Sequence, residues 1–307
     1  MEFLPSVARK STCWSAAIKL ALPYLNISAY KFCRLGGLES LRAQLKERCR
    51  ELDLKGTIVL STEGINVNVA GVDDRVEELR RELAADPRFA DLEYKESRSN
   101  ERPFSRMLVR VKNEIVPLGD TQVDPSEKTA PRLSPQQLKE WLDEGRDFTL
   151  LDTRNDYEVR IGTFKQASHL SIQTFREFPS AVEGRVPNDD EKPLVMFCTG
   201  GIRCEKASAV LLERGFRQVY QLDGGILGYF KQCGAAHYEG ECFVYDQRVA
   251  LDESLDETAT IQCFSCGQPL TPEEQREESY VPDVSCPYCI GGKVNGRPRR
   301  NTKSDAL

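Results

Sequence analysis

The chemistry-bearing stretch is VMFCTGGIRCEKAS, residues 195–208, in which an apolar run ends on Cys198, turns through two glycines and an arginine, and becomes a charged helix. A cysteine closing a buried strand can be a small apolar core residue. The residues after it favour chemistry instead. Thr199, Gly200, Gly201 and Ile202 allow backbone amides to converge as an anion cradle, and the helix expected to start near Cys204 adds partial positive charge. Arg203 adds a full charge, so the context favours a thiolate nucleophile at Cys198. Cysteine phosphatases wrap phosphate with C-x5-R, whereas Arg203 gives C-x4-R here, and the shorter loop suits a sulfur carrier. Cys204 is either a resolving thiol or a plain helix-face residue.

A second constellation lies downstream. Cys263-Phe-Ser-Cys266 and Cys286-Pro-Tyr-Cys289 are separated by 19 residues, a spacing that suits a four-thiolate zinc site. Four thiolates leave no open coordination position, so the expected role is structural, with redox CxxC pairs or idle thiols as the alternatives. The tail after it carries Lys293, Arg297, Arg299, Arg300 and Lys303, a solvated run or a contact for RNA phosphates. Arg42, Lys46, Arg48 and Arg50 form a similar basic helix face nearer the amino terminus.

The elements that must position these groups are read from patterning. NISAYKF reads as a strand, LESLRAQLKERCREL as a helix, GTIVLS and INVNVAG as strands around Thr62-Glu63-Gly64, and DDRVEELRRELAAD as a second helix. The extended stretches DLEYKES and RMLVRVKNEIV come next, giving a ferredoxin-like α+β domain over residues 25–119, after an extension over 1–24. Residues 120–133 are polar with two prolines and read as a linker. Ser134-Pro135 then caps a helix, and the apolar strands FTLLDTR, LVMFC and VYQLDGG alternate with helices. That order implies an α/β domain with a parallel sheet over 134–237, whose functional groups lie at the carboxyl ends of the strands. A small four-cysteine zinc-knuckle domain over 238–295 and a basic tail over 296–307 complete the multidomain chain.

The whole composition sets limits. A net charge of -6 argues against general coating of nucleic acid, so any RNA contact must be local, and no DNA partner is expected. Residues 13–25 form the one apolar stretch near the amino terminus, too short to span a bilayer and interrupted by Lys19, so no membrane association is expected. Eleven cysteines in 307 residues, four of them in CxxC pairs, fit a reducing cytoplasm rather than a disulfide scaffold. With only His169 and His237 available, an iron triad is not expected, and no flavin or haem motif stands out.

CTGGIR resembles the active loop of rhodanese-type sulfurtransferases, LDTR at Leu151 to Arg154 resembles that fold's strand ending in an aspartate and an arginine, and LDGGILGY resembles its last strand and turn. The resemblance implies a rhodanese-like fold over this domain and a persulfide on Cys198. Asp152 and Arg154 are then a pair that orients the loop or binds substrate, or else a structural salt bridge. DTRNDYEVRIGTF, FREFP, CTGGIRCEKAS and STEGIN together resemble a narrower group, the bacterial tRNA uridine hydroxylases. This implies tRNA as partner, O2 as co-substrate and hydroxylation of the wobble uridine to 5-hydroxyuridine, with the loop cysteine required. A plain sulfurtransferase and a non-catalytic zinc-dependent RNA-binding module are the alternatives.

Overall fold

A computed structural model describes residues 23–119, 123–188 and 192–292. The expected amino-terminal extension up to residue 22 and the basic tail lie outside the described residues.

The amino-terminal half runs β1 (Tyr24–Phe32), α1 (Leu38–Glu51), β2 (Lys55–Ser61), β3 (Gly64–Gly71), α2 (Asp73–Ala85) and β4 (Lys95–Ser99). This is the strand-helix-strand-strand-helix-strand order expected, in a sheet ordered β4-β1-β3-β2. A fifth strand, β5 (Met107–Val111), extends it in parallel beside β2. The alternation of side chains decides which face is dry. Ile27, Val67 and Val69 join Leu45, Cys49, Val76, Leu79 and Leu83 of the helices in one core. On the other face β1 and β3 present Asn26, Ser28, Tyr30, Asn66 and Asn68, a polar surface left without helices.

The second half runs β6 (Arg132–Leu133), α3 (Pro135–Asp143), β7 (Thr149–Asp152), α4 (Asp156–Ile161), β8 (Gly162–Phe164), β9 (Ser168–His169), α5 (Phe178–Ala181), β10 (Leu194–Phe197), α6 (Ile202–Glu213), β11 (Val219–Leu222) and α7 (Gly225–Cys233). Its sheet, ordered β6-β11-β10-β7-β9, is parallel at every pairing. All four residues of β10 are buried, as a strand covered on both faces requires. Leu151, Met196 and Phe178 pack on one face, and Leu150, Val195, Phe197 and Tyr229 on the other. Ser134 caps α3 as expected, accepting from the Gln137 amide at 3.2 Å while the Gln137 side chain accepts from the Ser134 amide at 3.0 Å. Residues 132–133, at the end of the polar stretch read as a linker, form the edge strand β6 beside β11.

Beyond α7 the chain does not leave this domain at once. β12 (Tyr238–Gly240) pairs with β8, and the hairpin of β13 (Cys242–Phe243) and β14 (Ala250–Leu251) packs on α4 through Phe243, Ala250 and Ile161. A small unit comes after it, built on β15 (Ile261–Gln262) and β16 (Pro269–Leu270), with Leu270 and the paired cysteines as its core.

The halves are locked by charge. The Lys206 ammonium, 1 % exposed at the side chain, lies 2.8 Å from Glu63 and 2.7 Å from Glu114, two carboxylates of the amino-terminal half. Tyr30 of β1 donates to Glu205 at 3.1 Å. The bare sheet face is thereby turned toward the carboxyl ends of the parallel strands.

Candidate active site

Cys198 comes directly after β10 and opens the turn into α6. The Gly201 amide donates to its sulfur at 3.1 Å, and the Arg203 amide converges on the same atom. Burial would by itself raise this thiol's pKa. The Cys204 thiol donating to it, the Arg203 charge and the two amides outweigh that penalty and bring it well below the ordinary cysteine range. Burial pushes the Cys204 thiol the other way, well up, and the neighbouring thiolate adds to the rise. Cys204 is fully buried, 3.7 Å from the Thr153 hydroxyl, and serves in this geometry as a hydrogen-bond donor to Cys198.

The loop's shape depends on its neighbours. Gly201 adopts φ 95°, and a side chain there would bring a Cβ within 2.9 Å of the Tyr30 hydroxyl. Gly225, which starts α7 at φ 62°, lies so close to the loop that a Cβ would meet the Cys198 carbonyl at 2.4 Å. The Ile226 and Leu227 amides donate to the Cys198 and Thr199 carbonyls at 3.0 and 3.1 Å. This close approach is the physical reason for the paired glycines in LDGGILGY. Thr199 also donates to the Phe243 carbonyl at 3.3 Å, tying the loop to the β13–β14 hairpin.

Arg203 is not a free cation. Its guanidinium forks onto Glu158 of α4 at 2.6 and 2.8 Å, with Glu158 fully buried. Burial would raise the Glu158 pKa, but the Arg203 charge and hydrogen bonds lower it. Tyr245 donates to the same carboxylate at 2.8 Å while its residue is 63 % exposed, facing the cleft. Its ring packs edge-on against Phe243, centroids 5.0 Å apart.

Asp152 and Arg154 pair with one another at 2.6 Å, both side chains fully buried, with Arg154 also donating to the Gly162 carbonyl and Thr163 donating to Asp152. Neither lines the cleft; they brace the β7–β8 crossover. The two histidines lie apart, His169 beside Asp156 and His237 beside Asp143.

Above the loop is a cleft of about 560 Å³, walled by Asn26, Tyr30, Asn68 and Lys95 from the amino-terminal sheet and by Cys198, Thr199 and Gly200 below. Tyr157, Tyr245 and Leu227 close its sides. Its volume is in the range of a small-molecule or single-nucleoside site. The loop residues were legible in the sequence. Glu158, Tyr245, Tyr30 and Lys95 were not singled out; Glu158 alone had a signal, standing three residues after the helix cap Asn155.

The four CxxC sulfurs lie within 4.8 Å of one another, with separations of 4.0 Å for Cys263–Cys289, 3.5 Å for Cys266–Cys286 and 3.6 Å for Cys286–Cys289. A tetrahedral ion with bonds of about 2.3 Å sets its sulfurs about 3.8 Å apart. The donor set can therefore hold a metal ion. Arg160 of α4 anchors this unit, donating to the Pro269 carbonyl at 2.8 Å, stacking over Tyr288 at 3.9 Å and pairing with Glu274.

The chain is similar to known proteins over most of its length. Residues 24–115 match the UPF0176 acylphosphatase-like domain and residues 134–232 the rhodanese-like domain. A tRNA uridine(34) hydroxylase of Cupriavidus taiwanensis is 49% identical over 274 residues, covering 88% of this chain and 97% of the relative. Those of Ralstonia nicotianae and Burkholderia cenocepacia are 47% and 44% identical, each covering 86% of this chain and 96% of the relative. Among solved structures, a rhodanese-like domain from Anabaena aligns over 36% of this chain and 80% of its own, at 21% identity and a TM-score of 0.31.

Proposed function

The chain belongs to the tRNA uridine(34) hydroxylase family, and we propose that it hydroxylates the wobble uridine of tRNA to 5-hydroxyuridine with O2, using Cys198 as the reactive group. The observation that carries this reading is a thiolate-favouring loop at the floor of a cleft sized for one flipped-out nucleoside. The thiolate adds to C6 of the uracil, and the electron pair of the C5–C6 double bond passes into the C4 carbonyl, leaving C5 nucleophilic. O2 then delivers one oxygen atom to C5. The other leaves as water, with two electrons and two protons from a cellular reductant, and loss of the C5 proton then expels the Cys198 thiolate from C6, restoring the C5–C6 double bond of 5-hydroxyuridine.

The remaining residues have supporting roles in this reading. The Gly201 and Arg203 amides and the Cys204 thiol hold the sulfur as an anion before attack. Glu158 fixes Arg203 beside the loop, and the Tyr245 ring, tethered through its hydroxyl, offers a face on which a base stacks. The four-cysteine cluster would hold zinc, which would fold the small unit rather than take part in the reaction.

Mass spectrometry of tRNA nucleosides after incubation under 18O2 tests the reading. The intact protein is expected to yield 18O-labelled 5-hydroxyuridine and Cys198→Ser none. Full labelling by the serine variant removes Cys198 from the chemistry. No product from soluble, metal-loaded protein, together with thiosulfate-to-cyanide sulfur transfer, replaces the reading by a sulfurtransferase.

A further inference from the structure

The cations that line the cleft are unequally partnered. Arg176, Arg203 and Arg248 lie within ion-pair distance of Glu114, Glu158 and Asp246. Lys231 has no carboxylate at that distance among the described residues, but it is exposed at the rim. Lys95, the first residue of β4, also has none, and it reaches across the active loop. Its Cδ is 3.7 Å from where a Cβ on Gly200 would stand, and its Cε 4.0 Å from the same point on Gly224. The ammonium lies 5.0 Å from the centroid of the Tyr30 ring. Burial lowers its pKa, and the negative charges of Glu93, Cys198 and Asp223 partly restore it. A half-buried lysine held over the cleft without an ion-pair partner is a ready counter-charge for an anion that arrives there.

We propose that Lys95 is the group, supplied by the amino-terminal domain, that binds the charge of the reaction: the Cys198 thiolate before substrate enters and the uracil O4 once the thiolate has added. In that addition a bond forms between sulfur and C6, the electron pair of the C5–C6 double bond moves into the C4 carbonyl, and no atom leaves. One negative charge thus passes from sulfur to O4, and an ammonium between the two serves both. The identity of the oxygen rests on the hydroxylase reading; the contact with the thiolate does not.

A substrate-analogue cycle reads the O4 contact. Synthetic anticodon stem-loops carrying uridine, 4-thiouridine or 2-thiouridine at position 34 are hydroxylated by the intact protein, Lys95→Met and Lys95→Arg. Sulfur is the weaker acceptor, so the 4-thio substitution should slow the intact protein about tenfold, with KM within about twofold, and slow Lys95→Met no further. Arginine should restore part of the sensitivity, and the 2-thio substrate should show no coupling. Equal sensitivity of the intact protein and the methionine variant to 4-thiouridine overturns the O4 contact.

Iodoacetamide labelling of Cys198 across pH, with intact mass as the readout, tests the thiolate contact. Losing a cation disfavours the thiolate, so the Lys95→Met midpoint should move to higher pH while Lys95→Arg stays near the parent. Arg203, Glu158, Tyr30, Cys204 and Tyr245 are left in place and contribute equally to every profile. An unmoved midpoint in Lys95→Met protein that melts like the parent overturns the thiolate contact. A shifted midpoint with no 5-hydroxyuridine from any variant keeps Lys95 as partner of the thiolate and removes the hydroxylase reading instead.

Discussion

At the level of single residues, the site is a set of buried charges arranged in pairs, and the pairs matter more than their members. Glu158 and Arg203 form a forked ion pair at 2.6 and 2.8 Å with almost no solvent. Removing one partner of such a pair strands the other charge, at a cost of about 3–5 kcal/mol. Glu158→Gln is therefore expected to lower the melting temperature clearly and to displace Tyr245, whose hydroxyl donates to the same carboxylate. Thermal unfolding checks the first, and iodoacetamide reactivity of Cys198 reports a further consequence, a loop whose arginine has lost its anchor. The pair also has a pH signature. The folded Glu158 carboxyl has a lowered pKa, so its contribution is present above the unfolded value of about 4.3 and is lost as pH falls through the lower folded value. Glu158→Gln should narrow the stability gap between pH 7 and pH 3.

Among the elements, two helix starts facing one another shape the loop. α6 presents the amides that hold the sulfur, and α7 presents amides that hold the loop's carbonyls, 3.0 Å at Cys198 and 3.1 Å at Thr199. The approach is possible because residue 225 has no side chain. Gly225→Ala would drive a Cβ to 2.4 Å of the Cys198 carbonyl at a positive φ, so the loop or α7 must move. The expected outcome is a folded protein whose hydroxylation falls at least about tenfold, since a displacement of about 1 Å at the reacting group is worth about a hundredfold. Circular dichroism with a turnover assay separates this from global unfolding. Unchanged turnover would mean that the loop tolerates the shift.

Across the whole molecule, neither large domain makes the cleft alone. The amino-terminal sheet keeps a polar face bare and the rhodanese-like domain supplies the cysteine, while Lys206 between Glu63 and Glu114 clamps them together. Lys206→Met should leave two carboxylates without their cation and loosen the domain contact, seen as faster limited proteolysis near residues 112–130 and as loss of turnover. The four-cysteine unit is coupled differently, through Arg160 on α4 and the ring of Tyr288. Zinc added to the protein should shield Cys263, Cys266, Cys286 and Cys289 from alkylation and a chelator should expose them while Cys198 reactivity persists, with intact mass counting the modified thiols.

The local half of this protein is written in its chain. Periodicity laid out both domains, the Ser134–Pro135 cap marked α3, and the residues from Cys198 to Arg203 carried the reactive loop, because each depends on neighbours within a turn or two of chain. The CxxC spacing likewise brought four sulfurs together, since each pair is a local turn. Folding in three dimensions was needed to establish that Arg203 is spent on Glu158, that Asp152 and Arg154 brace a crossover instead of lining the cleft, and that Tyr30 and Lys95 lie against the glycines of the active loop. The Arg203–Glu158 and Tyr30–Glu205 contacts join residues 45 and 175 positions apart, and ionic or aromatic partners at such separations leave no periodic trace in the chain. The motif is local chemistry, whereas the cleft is made by two domains folding against each other.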